Sequence, residues 1–301
     1  MTLKRRRPGE FDTFLFADYS GAKSLMAQRS AISLFRLDRP SLEPRKVIGP
    51  FTRETLRERL IDEIVRASQD GRRVLFGIDH QWSWPVDLLR AARVADSAWR
   101  ETLATLVQGG NGMPPLGPPS KYAAAFNDAA RAPVFHSRIR GLAAKYGIPS
   151  RASWQGNAVR LTETLMTGAK PSNRLGGVGA VAGQTMTGLV ELYRLFAGLE
   201  NRGIPVIAWP FDSLHDDGRS HVGCEIYPGF CKRELRERLT RRPGWTQHDL
   251  DAAAVCQWAA SADLAALLDL RAQSTAANAL ARREGWILGA GERPLSSSGS
   301  T

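Results

Sequence analysis

Long apolar runs are missing from this sequence. None reaches the roughly 18 consecutive apolar residues that a membrane-spanning helix needs, so no membrane partner is expected. Cysteine is scarce too. Cys224, Cys231 and Cys256 form no Cys-x-x-Cys pair and have no histidine at zinc spacing, which leaves reduced core thiols of a cytoplasmic protein. A secretory leader is not expected, because the basic run Lys4–Arg7 leads into Pro8-Gly9-Glu10 where a leader needs apolar residues. No nucleophilic serine elbow, Cys/His pairing or internal repeat is present. The glycine-rich stretch 176–183 lacks the Gly-Lys-Ser/Thr ending of a phosphate loop, so it reads as a flexible loop over a site. Acidic residues are also in deficit. Thirty Asp and Glu face 41 Lys and Arg, giving a formal charge of +11, and such a balance favours polyanionic partners.

The 301 residues, 43% hydrophobic and 24% charged, are ordinary for a globular α/β protein and allow one elaborated domain over 1–301. Thr13–Ala17 reads as a buried strand ending at Asp18. Residues 29–36 alternate like a second strand, and 46–51 supply a third. Leu56, Leu60, Ile61, Ile64 and Val65 recur at helical spacing, predicting a helix from Thr52 or Arg53 to about residue 69. Residues 73–78 form the next buried strand, ending at Asp79. A helical crossover between the first and fourth strands predicts that they lie parallel and adjacent, with both aspartates at one edge. Residues 85–200 read as a largely helical insertion. Strands follow at 204–209 and 222–227, then basic helices at 229–240 and 246–270, a short strand or packed tail at 286–288, and a disordered tail at 296–301.

Two strand-end carboxylates on neighbouring strands repel, so the pair needs a cation or a shared proton. Hard oxygen ligands of this kind suit Mg²⁺ or Mn²⁺. His248 and Asp251, three apart after the N-cap Thr246, share one helix face and add an imidazole and a third carboxylate. Glu225, inside a short apolar strand, is either ion-paired or a fourth ligand. Ser20 and Lys23, in the turn after Asp18, are candidate substrate contacts together with Trp82 and Arg160. The Trp82 and Trp84 pair, and Trp154 among Arg138, Arg140, Lys145, Arg151 and Arg160, read either as rings that stack bases beside phosphate-binding cations or as core tryptophans beside a solvated basic face.

The elements Phe16–Gly21, Gly77–His80, Glu225–Pro228, His248–Ala252 and Glu284–Ile287 occur in that order along nearly the whole chain. Together they resemble the family called domain of unknown function 429, whose members are regarded as predicted nucleases of the ribonuclease-H-like superfamily. The resemblance implies a ribonuclease-H-like mixed sheet flanked by helices, with the helical insertion after the fourth strand. It also implies a metal-dependent nuclease acting on DNA or RNA, with Asp18, Asp79, His248 and Asp251 catalytic and Asp18, Asp79, Glu225 and Asp251 holding Mg²⁺ or Mn²⁺. The His-x-x-Asp pair further resembles the Holliday-junction resolvase branch, which carries glutamate where this chain has Asp79. Two other functions share the fold: an ATP-dependent phosphotransferase of the actin and sugar-kinase type, and a catalytically silent nucleic-acid-binding protein.

Overall fold

A computed structural model of the chain describes residues 9–291 apart from 167, 169, 178, 179, 215–217, 230–234 and 236–241. Cys231, most of the helix expected at 229–240 and the tail expected at 296–301 lie outside the described residues. Six strands form one mixed sheet: β1 (Thr13–Asp18), β2 (Ser33–Asp38), β3 (Arg45–Lys46), β4 (Val74–Ile78), β7 (Val206–Trp209) and β8 (His221–Glu225), in the order β3-β2-β1-β4-β8-β7. The first three strands are antiparallel neighbours, whereas β4 runs parallel to β1, and β8 and β7 continue parallel beyond it. A separate two-stranded parallel ribbon joins β5 (His136–Ser137) to β6 (Arg174–Leu175).

The side-chain period of two splits each central strand between two apolar layers. On one face Leu15, Ala17, Leu34, Phe76 and Ile78 pack against helices α2 (Arg53–Gln69) and α8 (Ala182–Glu200) through Leu60, Ile64, Leu189 and Phe196. On the other face Phe14, Phe16, Phe35 and Leu75 meet Ala252, Val255 and Cys256 of α9 (Gln247–Ser261). Gly77 is required on this second face, since a Cβ there would come within 2.7 Å of both Phe16 and Ile226. Buried on both faces, β1 and β4 read as unbroken apolar runs, which is why both are visible in the sequence.

Elsewhere the boundaries shift for local reasons. Residues 29–31 belong to helix α1 (Leu25–Ala31), started by Ser24, whose side chain accepts the Ala27 N–H; the strand begins only at Ser33. The third strand shrinks to Arg45–Lys46, ahead of Gly49-Pro50. The helix expected to run to 270 stops at Ser261, because Asp263 caps the separate short helix α10 (Leu264–Leu267). A further helix not foreseen, α11 (Thr275–Glu284), precedes Ile287, which bridges in parallel to Glu225, so residues 286–288 are a packed tail.

Between β4 and α8 the chain forms α3 (Val86–Ala91), α4 (Trp99–Gln108), α5 (Pro119–Ala130), α6 (Arg140–Tyr146) and α7 (Leu161–Thr164), together with the β5–β6 ribbon. Trp84 and, within this stretch, Trp99, Tyr122, Phe126 and Phe135 merge with the layer under α2 and α8. The insertion is thereby welded to the sheet. Among the described residues no helix is long and apolar enough to cross a membrane.

Candidate active site

The parallel register pairs Ala17 with Ile78, and the Asp79 N–H donates to Ala17 O at 3.0 Å. Continuing that register sets Asp18 opposite Asp79 with both side chains on one face. The two carboxyls are close enough for the charge of Asp18 to act on Asp79. Burial, and then the charge of Asp18, hold Asp79 well above the usual carboxylate range. Asp18 is itself 6% exposed and raised by burial, an effect opposed by His248. His248 Nδ1 is bonded to Asp18 Oδ2, and this bond with the carboxylate charge raises the imidazole above its ordinary value against the lesser effect of burial. The site is thus a chain of side chains from Asp79 through Asp18 to His248, whose side chain remains 40% exposed.

Asp251 stands three residues beyond His248, and its charge acts on Asp18, Asp79 and His248 together. Gln247 Nε2 donates to Asp251 Oδ1 at 2.8 Å. The intervening Asp249 does different work. It is fully buried, accepts from Ser33 Oγ at 2.6 Å, pairs with Lys46 Nζ at 2.8 Å, and closes a capping box with Thr246. Burial would raise Asp249, but these partners outweigh it and hold the carboxyl below its usual range. Asp249 therefore bolts the first turn of α9 to β2 and β3, which aims His248 at Asp18.

Two contributors were not singled out from the sequence. Gln184, in the first turn of α8, donates from one amide nitrogen to Tyr19 O and to Asp79 O, both at 2.7 Å. It ties together the chain at the ends of β1 and β4. Tyr227 is half-buried, and its phenol is raised by burial and then by the charges of Asp79 and Asp251. Glutamine has no charge or spacing signature, and Tyr227 entered the sequence reading only as part of a short motif.

The remaining expectations divide. Glu225 ends β8 beside Ile78, but both its oxygens are taken: Arg160 grips it bidentately, with Nη1 at 2.6 Å from Oε2, and the Trp82 N–H donates to Oε2 at 3.0 Å. Burial raises this carboxyl and Arg160 pulls it back, so the ion-paired alternative is the one observed. Trp82 and Arg160, expected to touch substrate, are both fully buried. Arg160 is also held by Glu163 at 3.0 Å, and Gln81 carries the network on to Thr185. Their role is structural because a buried guanidinium between two carboxylates has nothing left to offer a ligand. Trp84 is buried as well, leaving Trp154 as the partly exposed tryptophan of the three. Ser20 and Lys23 do lie in the turn beyond Asp18. Ser20 Oγ accepts the Ala22 N–H at 3.1 Å, Lys23 is exposed, and Arg53 braces the turn through Ser20 O and Ala22 O. His80 is buried, held down to about 4 by burial, and packed so closely on Gly188 that a Cβ there would come within 2.7 Å of its ring. It serves as a neutral spacer.

Among the described residues no group of three or more His, Cys, Asp or Glu side chains is arranged to hold a metal ion. The donor chemistry nonetheless suits a hard cation: two neighbouring buried carboxyls, whose repulsion a proton or a positive charge relieves, with a third carboxylate nearby. No family model, curated protein or solved structure matches the chain.

Proposed function

We propose that this chain is a metal-dependent phosphodiesterase of ribonuclease-H-like fold that hydrolyses nucleic acid. The observation that carries the proposal is the Asp18–Asp79 carboxyl pair at the ends of adjacent parallel strands, with His248 bonded to Asp18. An antiparallel three-strand unit continued by strands parallel to β1 supports the fold assignment. The formal charge of +11 supports a polyanionic substrate.

Asp18, Asp79 and Asp251 would hold Mg²⁺ or Mn²⁺, and the proton favoured by the raised Asp79 carboxyl would leave on binding. Bound there, the cation would supply Lewis-acid stabilisation of charge on phosphoryl oxygens. The chain's own residues do the rest. Asp249 and Thr246 fix the helix that carries His248. Asp18 engages the Nδ1 of that ring, leaving Nε2 to exchange a proton with a leaving oxygen or with water. Gln184 keeps the two strand ends at a constant separation.

The test is incubation of the full chain with single-stranded, duplex and branched DNA and with RNA, in Mn²⁺. Cleavage of at least one substrate is expected, falling by about 100-fold or more in Asp18→Asn and in Asp79→Asn. Cleavage that survives both substitutions overturns the proposal. The phosphotransferase alternative calls for two copies of the core, whereas the described residues hold one six-stranded sheet and a two-stranded ribbon.

A further inference from the structure

Positive charge is unevenly placed along the chain. Between Asp128 and Glu191 lie eight arginines and lysines and one acid, Glu163, which is buried against Arg160. This one stretch therefore holds most of the net charge of +11. The fold gathers it. The Ser137 N–H donates to Pro149 O at 2.9 Å, so Arg138 and Arg151 lie one and two residues beyond a point where the two chain segments pair. Arg140 and Lys145 stand on α6, which packs on β5, and Arg174 pairs across the ribbon with His136, which feels the charge of both Arg174 and Arg138. Arg138, Arg140, Lys145 and Arg151 are exposed, and none has a carboxylate partner among the described residues. Two partly exposed aromatic rings accompany them in the chain: Tyr146, with Lys145 Nζ 5.5 Å from its centroid, and Trp154, three residues beyond Arg151. The buried Ser172 Oγ and His136 Nδ1 have no partner among the described residues.

We infer that this face of the insertion, built on the β5–β6 ribbon and α6, binds the backbone and bases of single-stranded nucleic acid. Unpaired cations attract phosphates and release counterions, and aromatic rings among them stack bases without regard to sequence. The reach is sufficient. Nine positions separate Leu175, at the end of β6, from Gln184 at the acidic pair, a span of at most about 32 Å of extended chain. The acidic pair repels phosphate, so the holding charge must lie elsewhere, and here it does. The inference shares the nucleic-acid half of the proposed function and is independent of the chemistry.

The test is fluorescence anisotropy of the full chain with a labelled single strand of about 20 nucleotides and the matching duplex, in EDTA so that no metal-dependent cleavage intervenes. The single strand is expected to bind tighter. Replacing Arg138, Arg140, Lys145 and Arg151 by alanine together should weaken it about 100-fold near 0.1 M salt and flatten the logarithmic salt slope by about 2 to 3. Removing four exposed arginines elsewhere (Arg66, Arg90, Arg194 and Arg271) changes the net charge equally and should cost far less. Trp154→Leu should weaken the single strand roughly 5- to 100-fold and leave the salt slope unchanged. Equal losses in the two quadruple variants, or tighter binding of the duplex, would overturn the inference. Localised binding without cleavage would uphold it while the nuclease assignment fell, and cleavage with unlocalised binding would do the reverse.

Discussion

Asp79 lies one residue past β4 and opposite Asp18, and burial with the charge of Asp18 holds its carboxyl well above the usual range. The native state therefore holds a proton on Asp79 that the unfolded chain gives up near pH 4. With the folded value raised, the native state binds more protons, so stability falls as pH rises from about 4 through the folded value. Asn at this position still offers a donor to Asp18 and carries no titration. Asp79→Asn is accordingly expected to stabilise the protein by on the order of 1 kcal/mol at neutral pH and by nothing at pH 4, while removing cleavage. Thermal unfolding at both pH values decides it. An unchanged or lower midpoint at neutral pH would show that Asp79 holds no such proton. This residue was visible in the sequence because a long apolar strand ended on it. Arg160 misled for the opposite reason: a lone arginine reads as exposed, and its burial follows from Glu225 and Glu163, 65 and 3 positions away, converging on it.

Helix α9 shows the same division at the scale of an element. The His248–Asp251 spacing and the Thr246 cap are local facts, and so they were legible. What aims the helix is not local: Asp249 reaches Ser33 and Lys46, 216 and 203 residues distant. A cap aspartate in a first turn carries no hint in the sequence of such partners. Asp249→Ala should cost about 2 to 4 kcal/mol, combining loss of the cap with loss of a buried partner for Lys46. Because Asp249 is held below its usual value, its contribution is complete above about pH 4 and fades as pH falls through the depressed folded value. Chemical denaturation between pH 3 and pH 7 should therefore show wild type and variant converging at the acidic end. A constant gap would mean that shape at position 249, not charge, sets the cost. Gln184 escaped notice for a related reason: its two bonds go to backbone carbonyls, which no sequence pattern records.

At the scale of the whole molecule, the charges are sorted into an acidic centre at the strand ends and a basic face on the insertion. The two are joined through α8, which packs on β6 and touches the Asp79 backbone through Gln184. Three carboxylates crowded together weaken the native state, and functional sites commonly carry such a cost. A cation bound only by the folded protein returns that stability by mass action, about 2.7 kcal/mol at a hundredfold excess over its Kd. For a chain of this length each kcal/mol moves the unfolding midpoint by roughly 2 to 4 °C, so saturating Mn²⁺ should raise it by about 5 to 10 °C. Asp18→Asn should abolish the rise, since it removes the carboxylate at the centre of the set. Lowering the pH should shrink it in wild type, because binding must displace the proton on Asp79. A rise of equal size in Asp18→Asn would place the cation elsewhere on the molecule. Calorimetry in the presence and absence of Mn²⁺ separates the two outcomes, and it does so without any substrate, so the metal site stands or falls independently of what the protein cleaves.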